Sequence, residues 1–272
     1  MSHIAQPPSI LLVDDDADTR EMYSWSFEAR GFRVLPAGSV PAAIALAFEK
    51  RPDIIVTDFT LPGDDGFALA TKVRESDVLR DTTIILVSGR SFVGGSGERA
   101  MQLFDRVLIK PALPDQLLAE MVPLLLDRAA ATLERQLRAV QARIPSHPTG
   151  SAAGRVLSAV SEVADDPVPA ALVADSSARY IAANDAACAL IGRPREELLT
   201  LSVWDLTPQV SLDASRRQWE AFVSGGTLSG AYHLSGPAGS SISTVFSAAA
   251  HVLPGCHLSL LRPLSPVLAV AP

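Results

Sequence analysis

Acids follow two short apolar runs in this chain. Asp14, Asp15 and Asp16 come directly after Ser9–Val13 (SILLV), and Asp58 closes Ile54–Asp58 (IIVTD). Two later runs end in a hydroxyl and a cation: Ser88 follows residues 82–87 (TTIILV), and Lys110 follows residues 107–109 (VLI). Apolar runs without polar alternation read as strands buried on both faces of a parallel sheet. Open α/β sheets gather their ligand sites at the carboxyl ends of such strands, so Asp14, Asp15, Asp58, Ser88 and Lys110 would share one edge. Carboxylates gathered there repel one another by roughly 4 kcal/mol per close pair in a surface-like dielectric, so they must take up protons or hold a cation. A hard divalent ion answers this, and Mg2+ keeps waters and accepts phosphate oxygens readily. With Lys110 neutralising an oxygen and Ser88 donating a hydrogen bond to one, the set would suit a phosphoryl group. Taken singly, the acids are strand-end caps or turn starts, Ser88 a turn hydroxyl and Lys110 a solvated charge. Their coincidence carries the chemistry.

The elements that would position these residues alternate. The sequence predicts a helix over 18–30 closed by Gly31, a strand over 32–35, and a helix from the Ser39 cap to Lys50 with Pro41 in its first turn. After the central strand come a helix from 65 or 66 to 75, another over 97–104, and one starting near Pro114. This pattern predicts an α/β, doubly wound, five-stranded parallel sheet.

VDDD at 13–16, DFTLPGDDG at 58–66, VSG at 87–89 and KP at 110–111, in this order and at these separations, resemble the receiver domain of two-component response regulators. The likeness covers about residues 9–127 and implies a flavodoxin-like fold. It also implies that Asp58 is the phosphoacceptor, Asp15 a direct Mg2+ ligand, Asp14 a second acid acting through metal-bound water, and the Thr60 carbonyl a third protein ligand. Ser88 would be the switch hydroxyl and Lys110 the phosphate partner, with a cis Lys110–Pro111 bond. The partner would be a sensor histidine kinase or a phosphotransfer protein. Departures exist: Val107 stands where the family usually has an aromatic residue, Ser88 replaces the commoner Thr, and Gly94, Gly95 and Gly97 loosen the segment before the fourth helix. A haloacid-dehalogenase type would use Asp14 with Asp16, but Asp18 then occupies the place of a Thr or Val. Asp16, Asp64 and Asp65 are read as solvated or capping acids.

Beyond the receiver, Leu126, Ala130, Leu133, Leu137, Val140 and Ile144 recur at steps of four and three, a heptad seam of about two and a half repeats. It reads either as a parallel homodimer contact through residues 126–144 or as one amphipathic helix packing on its own domains. Pro123 should kink or divide that helix. Residues 128–154 form a connecting helix and a Pro, Ser and Gly linker.

Residues 155–262 predict a helix, two strands joined at 175–178, a helix capped by Asn184 and ended by Gly192, short helical turns, a helix over 213–223 and three final strands. That α+β order, with LVAD at 172–175, N-x-A-A at 184–187 and GRPREEL at 192–198, resembles a PAS domain with an antiparallel sheet. The family's haem-binding members commonly take an axial His from the long helix, and 213–223 has none. Cys188 lies in NDAACAL, unlike the reactive cysteine motif of flavin-binding light sensors. Haem and flavin are thus not supported, and the PAS ligand stays unidentified. His233, His251 and His257 read as ordinary strand or turn residues, and the tail over 263–272 as irregular.

Composition sets the frame. The 272 residues are 48% hydrophobic with two cysteines, enough for two cores and too few thiols for a disulfide framework. The net charge of −7 belongs to residues 1–127, with 19 acids against 12 Lys and Arg, whereas the rest has 11 of each and no basic excess to suggest nucleic-acid binding. No apolar run approaches the ~18 residues of a spanning helix and no leader is evident, so no membrane partner and a cytoplasmic location are expected. No kinase or output enzyme domain is expected, so the receiver would catalyse only its own aspartyl phosphorylation. The functional expectation is a phosphorelay response regulator. The alternative is a PAS-based small-molecule sensor whose receiver serves mainly for docking or dimerisation.

Overall fold

The computed structural model describes residues 7–91, 95–144, 150–163, 168–208 and 212–264. Gly94, residues 145–149 of the expected linker and the expected irregular tail from 265 onward lie outside these. The chain forms two compact units that adjoin in sequence at Leu125 and Leu126.

The first unit runs β1 (Ser9–Val13), α1 (Ala17–Glu28), β2 (Arg33–Ala37), α2 (Val40–Lys50), β3 (Ile54–Asp58), a two-residue hairpin of β4 (Thr60–Leu61) and β5 (Asp64–Asp65), α3 (Gly66–Glu75), β6 (Thr83–Ser88), α4 (Gly95–Leu103), β7 (Arg106–Ile109) and the start of α5 (Pro114–Arg143). Five strands in the order β2-β1-β3-β6-β7 make a parallel sheet. Leu11, Val13, Ile55, Ile84 and Leu86 pack with Leu69 and Val73 of α3. Their alternates Ile10, Leu12, Ile54, Val56 and Ile85 are also no more than 2% exposed. Both faces are therefore covered, which explains why these strands show no polar alternation. Helix starts follow the sequence: Ser39 caps α2, and Asp65 caps α3 by accepting from the Ala68 amide at 2.9 Å. The Gly-rich segment does not shorten α4, which starts at Gly95.

The second unit takes in the rest of α5, then α6 (Ala152–Val163), β8 (Ala170–Ala174), β9 (Tyr180–Ala183), α7 (Asp185–Ile191), α8 (Arg195–Leu198), a 3-10 turn (Val203–Leu206), α9 (Leu212–Val223), β10 (Thr227–Ser235), β11 (Ser241–Leu253) and β12 (Cys256–Pro263). Its sheet is antiparallel in the order β10-β11-β12-β8-β9. One face packs Val173, Val245 and Leu258 against α6, and the other packs Leu172 and Leu261 with Ala187, Ile191 and Leu198.

Helix α5 is one 30-residue element that includes Pro123 and continues past residue 127. Two expectations need correction. The heptad seam is not free to pair with a second copy, because Leu133, Leu137 and Val140 are at most 2% exposed within the core of the second unit. The amphipathic-helix reading is the one realised. The expected linker also ends early, since α6 begins at Ala152.

Candidate functional site

The site follows from register. Val13 lies opposite Thr57 in the β1–β3 ladder, so the next residues, Asp14 and Asp58, leave the sheet side by side. Ser88 lies opposite Ile109, which brings Lys110 to the same edge, where the Lys110 amide donates to the Ser88 carbonyl at 2.7 Å. In the order β2-β1-β3-β6-β7, successive connections leave β1 in opposite directions along the sheet, and the crevice beside such a switch point is where doubly wound folds bind ligands.

Carboxylate oxygens of Asp14, Asp15 and Asp58 lie within 4.8 Å of one another. Asp14 is 4% exposed, a buried charge that requires a partner. Lys110 supplies one, with Nζ 3.2 Å from Asp14 Oδ2 and 3.1 Å from Asp58 Oδ2. Burial acts to lower the pKa of this lysine, but the hydrogen bond to Asp58 and the charges of Asp14 and Asp58 outweigh it and the net shift is upward. Asp58 Oδ1 accepts from the Phe59 amide at 2.7 Å, so both its oxygens are held. One lysine against three acids leaves the pocket with a negative excess. An all-oxygen donor set of that charge fits a hard divalent cation.

The remaining expected residues are placed as follows. Thr60 is exposed on β4, two residues past Asp58. Ser88 is fully buried, and its Oγ accepts from the Arg90 amide at 3.1 Å. Asp16 turns away from the cluster to cap α1, accepting from the Thr19 amide at 2.7 Å, which removes the spacing on which the dehalogenase reading relied. Lys110–Pro111 is cis. Val107 is 39% exposed.

Sequence reasoning passed over several neighbours. The Arg90 guanidinium lies 4.0 Å from the centre of the Phe59 ring. Asp53 ties β3 to β1 at the opposite end, accepting from the Ser9 amide and hydroxyl at 2.8 Å each. Arg20 and Tyr23 of α1 reach backbone carbonyls beside the acids and the lysine. Polar helical residues carry no sequence mark that separates such contacts from solvent exposure.

In the second unit, a cavity of about 110 Å³ lies between α9 and the sheet, lined by Tyr180, Trp219, Phe222, Tyr232 and Phe246 among others and by no charged side chain. His257, on β12 as a strand residue, is 2% exposed and packs against Trp219 and Phe222 of the cavity lining. Its Nδ1 accepts from the His251 amide at 3.3 Å, so Nε2 carries the proton toward Ser176 Oγ at 3.2 Å.

No described helix is long and apolar enough to cross a membrane.

The family described as response regulator receiver domain matches residues 10–122, and the PAS fold matches residues 163–247. The phosphate regulon transcriptional regulatory protein PhoB of Pseudomonas aeruginosa is 30% identical over 113 residues, 42% of this chain and 49% of that protein. The transcriptional regulatory protein PrrA of Mycobacterium tuberculosis is 32% identical over 123 residues, 45% of this chain and 52% of that one. The chain thus spans about half the length of these relatives. Among solved structures, a chemotaxis response regulator of Vibrio cholerae is 25% identical, covering 43% of this chain and 98% of its own, with a TM-score of 0.41. The first unit of this chain is a response regulator receiver domain, and a PAS fold follows it.

Proposed function

We propose that the chain is a response regulator of a two-component phosphorelay, with a receiver over 9–127, a connecting segment over 128–154 and a PAS domain over 155–262. The observation that carries this is the paired state of Asp58, whose carboxylate contacts Lys110 at 3.1 Å inside the Asp14, Asp15 and Asp58 cluster. Asp15 and Asp58 would hold Mg2+ together with the Thr60 carbonyl, and Asp14 would act through metal-bound water. The ion, when bound, offsets negative charge on the transferred phosphoryl oxygens. An Asp58 oxygen attacks phosphorus, and the bond to the donor breaks with its electron pair leaving on the imidazole nitrogen of a partner phosphohistidine. Lys110 exchanges its contact with Asp58 Oδ2 for a phosphoryl oxygen. The product adds about −1.5 to −2 charge at the sheet edge. Ser88 would then give up its contact with the Arg90 amide and turn toward the phosphate, changing the α4–β7 side of the receiver, from which the change passes to the PAS domain. A sensor histidine kinase or phosphotransfer protein supplies the phosphate.

Labelling the full chain with acetyl phosphate tests this. Wild type should take up phosphate only with Mg2+ present, and Asp58→Asn should take up none. Equal labelling of Asp58→Asn would overturn the reading.

A further inference from the structure

Helix α1 sends two polar side chains to backbone carbonyls beside the site. Arg20 Nη1 donates to the Asp14 carbonyl at 2.6 Å. The hydroxyl of Tyr23, a residue only 5% exposed, donates to the carbonyl of Ala112, two positions beyond Lys110. Residues three apart on a helix are surface neighbours, so one turn of α1 grips both the segment that carries the acids and the segment that carries the lysine. Gly38 makes the room for this. A Cβ there would lie 3.3 Å from Arg20 Nη1 and 3.4 Å from its Cζ. The Asp14 amide is bonded to the Ala37 carbonyl at 3.2 Å, so the glycine sits beside the acid loop it accommodates.

We propose that Arg20 and Tyr23 are positioning residues of the phosphoacceptor site, Arg20 fixing the peptide between Asp14 and Asp15 and Tyr23 fixing the segment that presents Lys110. This rests on the Mg2+ reading given above. The Asp14 carbonyl belongs to the peptide from which Asp15 departs, so holding it sets the directions of both acids. Charge and geometry make opposite demands on Arg20. A cation acting through its charge alone would compete with a divalent ion, and its removal would tighten Mg2+ binding. A residue acting through geometry would weaken binding when removed.

The test titrates Mg2+ alone into the full chain by calorimetry, then follows acetyl phosphate labelling against Mg2+ concentration, with folding checked by circular dichroism. Arg20→Gln should bind Mg2+ about tenfold more weakly, because loss of a residue that orients metal ligands costs about 10–100-fold. Tyr23→Phe should keep wild-type Mg2+ affinity yet label about tenfold more slowly at saturating Mg2+, since it loosens Lys110 and not the acids. Gly38→Ala retains the arginine charge but crowds the guanidinium. It should weaken Mg2+ a few-fold, and it stands in for Arg20→Gln if that variant unfolds. Unchanged or tighter Mg2+ binding in Arg20→Gln, or in Gly38→Ala standing in for it, would overturn the proposal, as would wild-type labelling by Tyr23→Phe at saturating Mg2+. Absence of Mg2+ binding by the wild type would overturn the metal reading itself and this proposal with it, a result visible without any variant.

Discussion

The two units use similar apolar strands to opposite ends. The receiver drives three carboxylates and a lysine together at a sheet edge, whereas the PAS unit leaves a cavity between α9 and its sheet with no charged side chain among its described lining residues. Clustered charge is costly unless compensated, so a charged site is confined to particular residue types at particular strand ends. An apolar cavity is built from the residues that would otherwise fill a core. This is why one site stands out in a linear sequence and the other does not.

Removing Lys110 should give the largest effect. Lys110→Ala strips the cation from Asp14 and Asp58, and phosphate labelling should fall by about a hundredfold or more while the unfolding of the PAS unit stays unchanged. Retained labelling would mean that the ion pair is structural and not chemical. Leu137→Ala should do the reverse. It opens a cavity beneath the PAS sheet and should cost about 2–5 kcal/mol in denaturant unfolding of that unit, with receiver labelling preserved. A change of oligomeric state without loss of stability would instead restore the seam to a dimer role.

Legibility tracks this division. The acid-tipped strands were readable because Asp14, Asp58, Ser88 and Lys110 each end an apolar run, and register then brings them to one edge. The β4–β5 hairpin was not, since two-residue strands are too short to show alternation and read as turn. The seam of α5 was seen, but periodicity marks only that a helix face is apolar and not what covers it. Asn184 was recognised as a helix cap, yet its amide also joins α7 to β8. It accepts from the Ala187 and Ala171 amides and donates to the Pro169 carbonyl, each at 2.9 Å. Nothing in a linear sequence announces a contact 13 residues back.

That Asn184 junction offers a middle-sized test. Asn184→Ala should cost the PAS unit about 2 kcal/mol, more than an ordinary cap, because the bonds to the Ala171 amide and the Pro169 carbonyl are lost along with the cap. A loss well below 1 kcal/mol, read by thermal unfolding, would mean that water replaces the amide at little cost.

The smallest effect concerns pH. Burial, and then the neighbouring His251, hold His257 below the ordinary imidazole range, while Asp175 acts weakly the other way. A histidine with a lowered folded pKa favours folding in its neutral form. Its contribution is complete above about pH 6.5 and is lost as pH falls through that value toward the folded pKa. Unfolding of the PAS unit should therefore become easier on mild acidification in wild type and less so in His257→Gln. Equal slopes would show that the imidazole binds its proton equally well in the folded and unfolded states.

The central claim is that Asp58 itself carries phosphate once the acids hold Mg2+. Intact mass of the full chain after acetyl phosphate treatment, followed by mapping of the modified peptide, tests it most directly. The account predicts one phosphate per chain, dependent on Mg2+ and located on Asp58. Phosphate on another residue, or uptake unaffected by chelation of Mg2+, would contradict it.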